Sequence, residues 1–307
     1  MSEKDGFNPL TIGATLRLGA DSLRQAGVEE ADADAELLLL YLLGMSKADL
    51  LMDWREPMPE QKRGAWTEML ARKAAGEPVQ YIIGEQYFYG RRFEVSAAVL
   101  IPRPETELLA EAVLAIGDRL WPSGTGATGP VVLDVGTGSG ALAVTLAAER
   151  PEWRVMASDL SPDALVMARR NAETLGVAER VTFVQGDLLT PFMAATDGGA
   201  DAYPPIDILV SNPPYIPSAD IPGLQREVRA HEPHLALDGG EDGLNPYRAM
   251  AQQLQSLRAV PRVVAWEVGA GQAEDAAALL REVADWSDIR FVKDYAGIDR
   301  HVMAVRE

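Results

Sequence analysis

The fold is indicated most clearly by the segment Val131-Val132-Leu133-Asp134-Val135-Gly136-Thr137-Gly138-Ser139-Gly140. Its first five residues form a short apolar run, which is typical of a buried strand in a parallel sheet. The three glycines that follow allow the backbone to turn sharply and to approach a ligand closely. Helix-like sequence continues to Glu149. A strand, a glycine loop and a helix in this order predict the nucleotide-binding edge of an α/β sheet.

The alternation of strand-like and helix-like sequence continues to the end of the chain. Strand-like runs lie at 131–135, 154–158, 181–185, 207–211, 262–268, 288–292 and 301–305. Helix-like stretches lie at Gly138 to Glu149, Asp163 to Leu175 and Gln272 to Val283. Loops are predicted at Trp121 to Pro130 and near Thr196 to Pro205 from their composition. The pattern predicts a doubly wound, Rossmann-like α/β sheet.

The first quarter of the chain has a different pattern. Apolar residues recur at three- and four-residue spacings from residue 8 to about residue 75, which indicates several short helices. Ser46 and Asp49 have the spacing of a capping box, and a further helix is predicted at Glu60 to Ala75. The segment 79–100 is rich in β-branched and aromatic residues and predicts a hairpin or extended linker. We therefore predict a helical domain at 1–78, a hairpin linker at 79–100 and the α/β domain at 101–307.

Composition narrows the class of protein. The formal net charge of -18 repels phosphate backbones, so nucleic acid is a poor candidate partner. The chain has no cysteine and three histidines, which argues against a metal site. The opening residues MSEKDGFNPL lack a secretory apolar stretch, and no apolar run is long enough to cross a bilayer. We expect a cytoplasmic protein that binds neither metal nor membrane.

The glycine loop by itself is compatible with two cofactors. Gly136 to Ala141 satisfies the dinucleotide fingerprint, and Asp159 lies about 20 residues on, where an acid can bind a ribose hydroxyl. Asp134 precedes the glycines, and its carboxylate would repel a pyrophosphate but attract the amino group of a methionine moiety. Asp187 follows the strand at 181–185 and can meet an adenine amino group. These acids favour S-adenosylmethionine over NAD.

A second motif, Asn212-Pro213-Pro214-Tyr215, follows the apolar strand that ends at Ser211. An amino group conjugated to a carbonyl or ring is a poor nucleophile, so an enzyme that methylates it must position the nitrogen closely. The Asn212 side-chain oxygen and the Pro213 carbonyl can accept its two hydrogens. Two prolines restrict the backbone, and Tyr215 offers an aromatic face to a planar group. The motif favours methylation of an amino group.

The chain resembles the release-factor glutamine methyltransferases of the HemK/PrmC type. The matching segments are Pro78 to Gly84, Ile101 to Glu107 (IPRPETE), Asp134 to Gly140, Asn212 to Tyr215 and His231 to Arg248. This resemblance implies a seven-stranded methyltransferase domain, a helical N-terminal domain for substrate recognition, and S-adenosylmethionine as cofactor, with S-adenosylhomocysteine as product. It also implies a protein partner, the peptide-chain release factor, methylated on the glutamine of its Gly-Gly-Gln motif.

The resemblance assigns roles to particular residues. The cofactor-binding set is Asp134, Gly136, Thr137, Gly138, Ser139, Gly140, Asp159, Asp187, Leu188 and Asn212. The catalytic set is Asn212, Pro213 and Tyr215, and the substrate-binding set is Asn212, Pro213, Pro214, Tyr215 and Arg103. Related proteins often carry an aromatic residue at the position of Leu188. Arg103 and Glu105 either line the site or form a surface ion pair. His231 and His234 flank a family motif and are not read as a metal pair.

Four alternatives remain open at the level of sequence. A DNA adenine or cytosine amino-methyltransferase uses a similar motif on a flipped base, but the acidic charge argues against it. A ribosomal-protein glutamine methyltransferase is closer in chemistry, although the IPRPETE segment resembles the release-factor branch more. An NAD-dependent dehydrogenase would account for the glycine loop but would give no role to Asn212 to Tyr215. A nonenzymatic binding module would need no such motif.

Overall fold

The chain folds into two compact units, the helical unit and the sheet unit. The structure, a computed structural model, describes residues 10–122, 129–193 and 203–307. The helical unit comprises Met1–Gly84 together with Gln225–His231, and the sheet unit comprises Glu85–Leu224 together with Glu232–Glu307. Parts of the two predicted loops, residues 123–128 and 194–202, lie outside the described residues.

The described residues form helices and strands with these bounds. The helices are α1 (Ile12–Gln25), α2 (Ala31–Leu43), α3 (Lys47–Met52), α4 (Glu60–Ala74), α5 (Val79–Ile83), α6 (Pro104–Leu120), α7 (Ala141–Glu149), α8 (Pro162–Thr174), α9 (Arg226–His231), α10 (Asn245–Leu254) and α11 (Ala273–Val283). The strands are β1 (Glu85–Phe88), β2 (Arg91–Glu94), β3 (Val131–Val135), β4 (Arg154–Asp159), β5 (Val181–Gln185), β6 (Ile208–Ser211), β7 (Val263–Glu267), β8 (Asp288–Lys293) and β9 (Asp299–Val305). Within the described ranges, no helix is long and apolar enough to cross a membrane.

Capping residues set the ends of the first helices. The Thr11 hydroxyl accepts a hydrogen bond from the Ala14 amide at the start of α1. The predicted capping box at the start of α3 is confirmed, because Ser46 and Asp49 bind each other's backbone amides reciprocally. Gly44 ends α2 in the left-handed conformation that glycine adopts without steric cost.

The segment predicted as a hairpin or linker divides between the two units. Val79–Ile83 is a helix, and Val79 and Ile82 are buried in the core of the helical unit. Their three-residue spacing places both side chains on one helix face, which a pattern of β-branched residues alone does not reveal. The hairpin is limited to β1 and β2, which pair in antiparallel register. The helical unit therefore extends past the predicted boundary at residue 78.

The sheet has the strand order β5-β4-β3-β6-β7-β9-β8, with β9 antiparallel to both of its neighbours. The predicted seven-stranded, doubly wound sheet is confirmed. Residues alternate between its two faces: Ile208 and Val210 belong to one core cluster, whereas Leu209 belongs to the other. Two helices that sequence reasoning missed, α6 and α10, cover opposite faces of this sheet. Strand order reverses between β3 and β6, which is where open α/β sheets bind ligands.

A buried ion-pair cluster lies inside the helical unit. The side chain of Lys73, in α4, is 1% exposed, and its Nζ lies 2.9 Å from Asp34 Oδ2, in α2. The same ammonium also donates a hydrogen bond to Glu227, in α9. The cluster therefore attaches the later segment Gln225–His231 to the helices of the first 84 residues.

We expect Lys73→Ala to lower the free energy of unfolding of the helical unit by about 3 kcal/mol, because it leaves the largely buried Asp34 carboxylate without its partner, whereas the partly exposed Glu227 remains in contact with water. Amide hydrogen exchange of α2 and α4 in the full chain measures this change. Lys62→Ala, on an exposed position of the same helix, is the matched control and should change stability by less than about 0.5 kcal/mol. Equal effects of the two variants would contradict the role of the buried cluster.

Candidate active site

A cavity of about 710 Å³ lies at the carboxyl ends of the central strands of the sheet unit. This volume is typical of a site for a cofactor-sized ligand. Its lining includes most of the residues predicted to bind the cofactor and substrate: Arg103, Asp134, Gly136, Thr137, Gly138, Ser139, Asp159, Asp187, Leu188, Asn212 and Pro214. Gly140, Pro213 and Tyr215 are the predicted site residues that are absent from this lining.

Backbone hydrogen bonds hold the glycine loop against β4. The amides of Gly136 and Thr137 both donate to the Ser158 carbonyl at 2.9 Å, and the Gly138 amide donates to Asp159 Oδ2 at 2.8 Å. Gly136 and Gly138 have φ angles of 70° and 55°, and a Cβ atom at either residue would meet no atom within 4 Å. The loop therefore presents a bare backbone surface to the cavity, as close approach of a ligand requires.

Gly140 is constrained by packing against α8. It has a φ angle of 82°, and a Cβ atom there would lie 3.1 Å from the Ala168 Cβ. The glycine thus lets α7 begin close against α8.

Asn171 fixes the far side of the glycine loop. This side chain is fully buried in α8, and its Nδ2 donates to the carbonyls of Ser139 and Glu94 at 2.8 and 3.0 Å. Its Oδ1 accepts from the Glu94 amide at 2.7 Å. One amide side chain therefore joins the loop to the end of β2. Sequence reasoning missed Asn171, because nothing local to α8 distinguishes it from an exposed helical polar residue.

Asp134 is a buried carboxylate with one oxygen in use. Oδ2 accepts from the Thr137 hydroxyl at 2.6 Å and from the Ala143 amide, in the first turn of α7, at 3.1 Å. Oδ1 is buried and has no hydrogen-bond partner among the described residues. Burial raises the pKa of Asp134 to about 7, although the Thr137 and Ala143 hydrogen bonds oppose this shift. An unpartnered buried acceptor beside an open cavity fits a ligand that carries an amino group.

Asp159, at the end of β4, binds two backbone amides and is also predicted to bind a ribose hydroxyl. Its two oxygens accept the amides of Ser161 and Gly138 at 2.9 and 2.8 Å. Burial raises the pKa of Asp159, and these backbone hydrogen bonds oppose the shift. Each carboxylate oxygen can accept a second hydrogen bond, so the side chain retains capacity for a ribose hydroxyl.

The Asp187-Leu188 pair forms another part of the cavity wall. Leu188 has a φ angle of 50°, an uncommon conformation for a residue with a side chain. The Leu189 amide, immediately after it, donates to Gln253 Oε1 at 2.8 Å, which holds this turn against α10. The strained backbone is therefore supported from the opposite side of the turn.

The Asn212-Tyr215 segment begins where β6 ends. Asn212 Nδ2 donates to Thr106 Oγ1 at 3.1 Å. The Tyr215 carbonyl accepts from Gln272 Nε2 at 3.0 Å, so the far end of the segment is fixed as well. Burial, assisted by the charge of Glu267, raises the pKa of Tyr215 to about 12, which keeps its hydroxyl neutral at physiological pH.

The IPRPETE segment brings Arg103 and Thr106 to the cavity, whereas Glu105 is not part of its wall. Arg103 Nη2 lies 2.5 Å from Glu232 Oε1, whose side chain is 2% exposed. The sequence analysis did not identify Thr106 as a site residue, although Thr106 lies within the IPRPETE segment. The described residues contain no group of three or more histidines, cysteines or acids that could hold a metal ion.

The sheet order, the glycine loop and the cavity define the class of S-adenosylmethionine-dependent methyltransferases. In agreement, the family model described as "Methyltransferase domain" matches residues 132–229. The fold is similar to the hMettl16 catalytic domain, solved with the MAT2A 3'UTR hairpin 6, at a TM-score of 0.53 and 15% identity over 78% of this chain and 82% of that one. It is also similar to the human methyltransferase 10 domain containing protein, at a TM-score of 0.50 and 13% identity over 78% and 97%.

Sequence comparison identifies the family within this class. The family model "PrmC N-terminal domain" matches residues 14–84. Proteins named release factor glutamine methyltransferase are 40% identical in Moorella thermoacetica, over 97% of this chain and 99% of the relative, and 39% identical in Bacillus cereus, over 97% and 100%. The relative in Chlorobaculum tepidum is 43% identical over 89% and 90%. The chain belongs to the release factor glutamine methyltransferase family, and the resemblance read from its motifs is confirmed.

We expect affinity for S-adenosylhomocysteine to depend on the ionisation of Asp134. The cationic amino group pairs with the carboxylate, so binding is strong above the pKa of about 7 and weakens as the pH falls through it. Calorimetric titration should give a dissociation constant about tenfold higher at pH 6 than at pH 8.

Asp134→Asn is the control, because the amide preserves the shape of the side chain without its charge. Its dissociation constant should be higher and nearly independent of pH over this range. A wild-type dissociation constant that does not change with pH, or the same slope in the variant, would exclude Asp134 as the group responsible.

Proposed function

We propose that this chain transfers a methyl group from S-adenosylmethionine to the side-chain amide nitrogen, N5, of the glutamine in the Gly-Gly-Gln motif of peptide-chain release factors. The observation that carries this proposal is the similarity to release factor glutamine methyltransferases over 97% of the chain. The aligned region includes the helical unit, the glycine loop and Asn212–Tyr215, so a substrate-specific part is shared as well as a cofactor fold.

The cavity offers groups suited to S-adenosylmethionine. The cofactor supplies a methyl group on a positively charged sulfur, which is an activated electrophile. The bare backbone of Gly136 to Gly138 accommodates it, Asp134 Oδ1 accepts from its amino group, and Asp159 accepts from its ribose. Asp187 and Leu188 flank its adenine. These roles agree with the position of all these residues in the cavity wall.

The residues after β6 hold the glutamine amide. An amide nitrogen is a weak nucleophile because its lone pair is delocalised into the carbonyl. The Asn212 Oδ1 and the Pro213 carbonyl accept its two N–H groups, which orient the nitrogen and stabilise positive charge as it develops. The new N–C bond forms as the S–C bond breaks, and the nitrogen then releases one proton to water. No general base is required before the transfer.

Pro214, Tyr215 and Arg103 complete the proposed substrate site. Pro214 restricts the conformation of Pro213 and thereby aims its carbonyl. The Tyr215 carbonyl is anchored by Gln272, and stacking of its ring on the substrate remains a prediction. Arg103 lies in the cavity wall beside its partner Glu232 and offers a cation to the backbone carbonyls of the bound peptide.

We assign recognition of the release factor to the helical domain, predicted at 1–78 and connected through 79–100 to the methyltransferase domain at 101–307. The match to the PrmC N-terminal domain at residues 14–84 supports this assignment. The net charge of -18 supports a protein rather than a nucleic-acid substrate, and the activity belongs in the cytoplasm with the translation machinery. The comparisons do not favour a ribosomal-protein, DNA or NAD-dependent activity.

The purified protein, incubated with S-adenosylmethionine and a bacterial release factor, should add a single methyl group to the glutamine of the Gly-Gly-Gln motif. Peptide mass spectrometry locates the methyl group, and a release factor with that glutamine changed to alanine should remain unmodified. A labelled methyl group on DNA or on a ribosomal protein instead would support the assignment of the cofactor and refute the assignment of the substrate.

Asn212→Ala should lower the rate of methylation about 100- to 1000-fold, because it removes one acceptor that stabilises the developing charge. Gln252→Ala, which removes an exposed amide side chain in α10, is the control and should leave the rate unchanged. An Asn212→Ala variant with the wild-type rate would remove Asn212 from the reaction.

A further inference from the structure

A chain of buried hydrogen bonds continues behind Asn212 into the sheet unit. The Thr106 hydroxyl, which accepts from Asn212 Nδ2, itself donates to Glu267 Oε2 at 2.7 Å. Thr106 lies in the first turn of α6 and is 5% exposed, and Glu267 is the last residue of β7 and is 2% exposed. Three elements far apart in sequence therefore contribute one side chain each to a continuous polar chain.

The donor and acceptor groups determine the direction of each hydrogen bond in this series. The Thr106 hydroxyl has a single proton, and it donates that proton to Glu267 Oε2. The Thr106 oxygen is then left as an acceptor, and of the two ends of the Asn212 amide only the NH2 group can donate to it. Asn212 Oδ1 consequently faces away from Thr106. Because both Asn212 and Thr106 belong to the cavity wall, that oxygen is the end offered to a ligand.

A gain in stability does not account for this chain of hydrogen bonds. Burying a carboxylate costs several kcal/mol, and apolar residues of similar volume in such places are often as stable or more stable. Two further contacts hold Glu267 in place. The Tyr247 hydroxyl donates to its backbone carbonyl at 2.7 Å, and His301 Nε2 lies 3.7 Å from its Oε2. Such groups fix orientation, because each donor is matched to a single acceptor.

We propose that Thr106 and Glu267 are positioning residues that fix the Asn212 amide with its oxygen toward the substrate. This inference rests on the proposed function, since it explains how Asn212 meets an N–H group. A reversed amide would present NH2 to the NH2 of glutamine, donor against donor. The hydrogen bonds from Asn212 to Glu267 thus make the site selective for a substrate that donates a hydrogen bond, such as a carboxamide. They make it unfavourable to the carboxylate of glutamate.

The kinetic test compares Thr106→Val, which removes the hydroxyl at constant shape, with Thr106→Ser, which restores it. Thr106→Val should lower kcat for the release factor about 100-fold, while the KM for S-adenosylmethionine changes by less than about twofold. Thr106→Ser should remain within about threefold of the wild type. The matched control is Thr145→Val, because Thr145 is a buried threonine of α7 whose hydroxyl has no hydrogen-bond partner among the described residues.

A spectroscopic test needs no substrate. In protein labelled with 15N-asparagine, the Asn212 side-chain NH2 signal, assigned by its loss in Asn212→Asp, should show one proton that exchanges slowly with water because Thr106 holds it. Thr106→Val should abolish this protection, and Thr106→Ser and Thr145→Val should retain it.

Two kinetic results would overturn the proposal: wild-type kcat in Thr106→Val, or equal loss in Thr106→Ser and Thr106→Val. An Asn212 signal unchanged in Thr106→Val would overturn it as well. If Thr106→Val does not fold, as judged by loss of S-adenosylhomocysteine binding, Glu267→Gln decides. That amide can donate to Thr106 and reverse the chain, so kcat should fall about tenfold, and a wild-type value refutes the proposal. Failure of the wild type to methylate release factors would instead refute the proposed function, and the NMR comparison would still test the Asn212 orientation.

Discussion

The parallel pairing of β3 with β6 is the constraint on which the site depends. Their register places Val135 opposite Ser211, and the Ser211 hydroxyl donates to the Val135 carbonyl at 2.7 Å. Because parallel strands end at the same edge of a sheet, the glycine loop after β3 and the Asn212 segment after β6 emerge side by side. Strand order reverses at this pair, so the two loops diverge and leave a cavity between them.

Three polar side chains hold the backbone around this edge of the sheet, and two of them, Asp134 and Asp159, also line the cavity. Asp159 fixes the Gly138 amide, Asp134 fixes the start of α7, and Asn171 fixes the Ser139 carbonyl. The same carboxylates retain acceptor capacity toward the cavity. A rigid loop that needs no rearrangement when the ligand arrives loses less entropy on binding. The same side chains therefore hold the backbone and keep free acceptor positions at the cavity.

Burial gives the acids of the site their chemical character. Asp134 is almost completely buried and has a pKa raised to about 7, whereas the exposed Asp242 is paired with Arg248 and has a pKa lowered to about 2. The two side chains are chemically identical, and their surroundings shift the two pKa values in opposite directions. A buried acid that is partly protonated near neutral pH is poised to respond to a cationic ligand.

Local sequence determined much of this protein. Strand-like runs predicted all seven strands of the sheet to within about two residues. The parallel strands β3, β6 and β7 are buried along nearly their whole length and therefore carry an almost continuous apolar signal. The glycine loop and Asn212–Tyr215 were identified because their chemistry lies within a few consecutive residues. Helices α6 and α10 were missed although their sequences carry a local signal, a proline in the first turn followed by apolar residues at three- and four-residue spacing. The helical conformation of Val79–Ile83 was missed because its β-branched residues favour a strand locally, and tertiary packing outweighs that preference.

Tertiary structure alone decided which distant residues support the site. Asn171 reaches the glycine loop from α8, and Glu267 reaches Asn212 through Thr106 over sequence separations of 161 and 106 residues. It also assigned Gln225–His231 to the helical unit through Glu227 and Lys73. Such partners leave no local pattern in a sequence, because a hydrogen bond between buried side chains depends on where the backbone brings them and not on their neighbours along the chain.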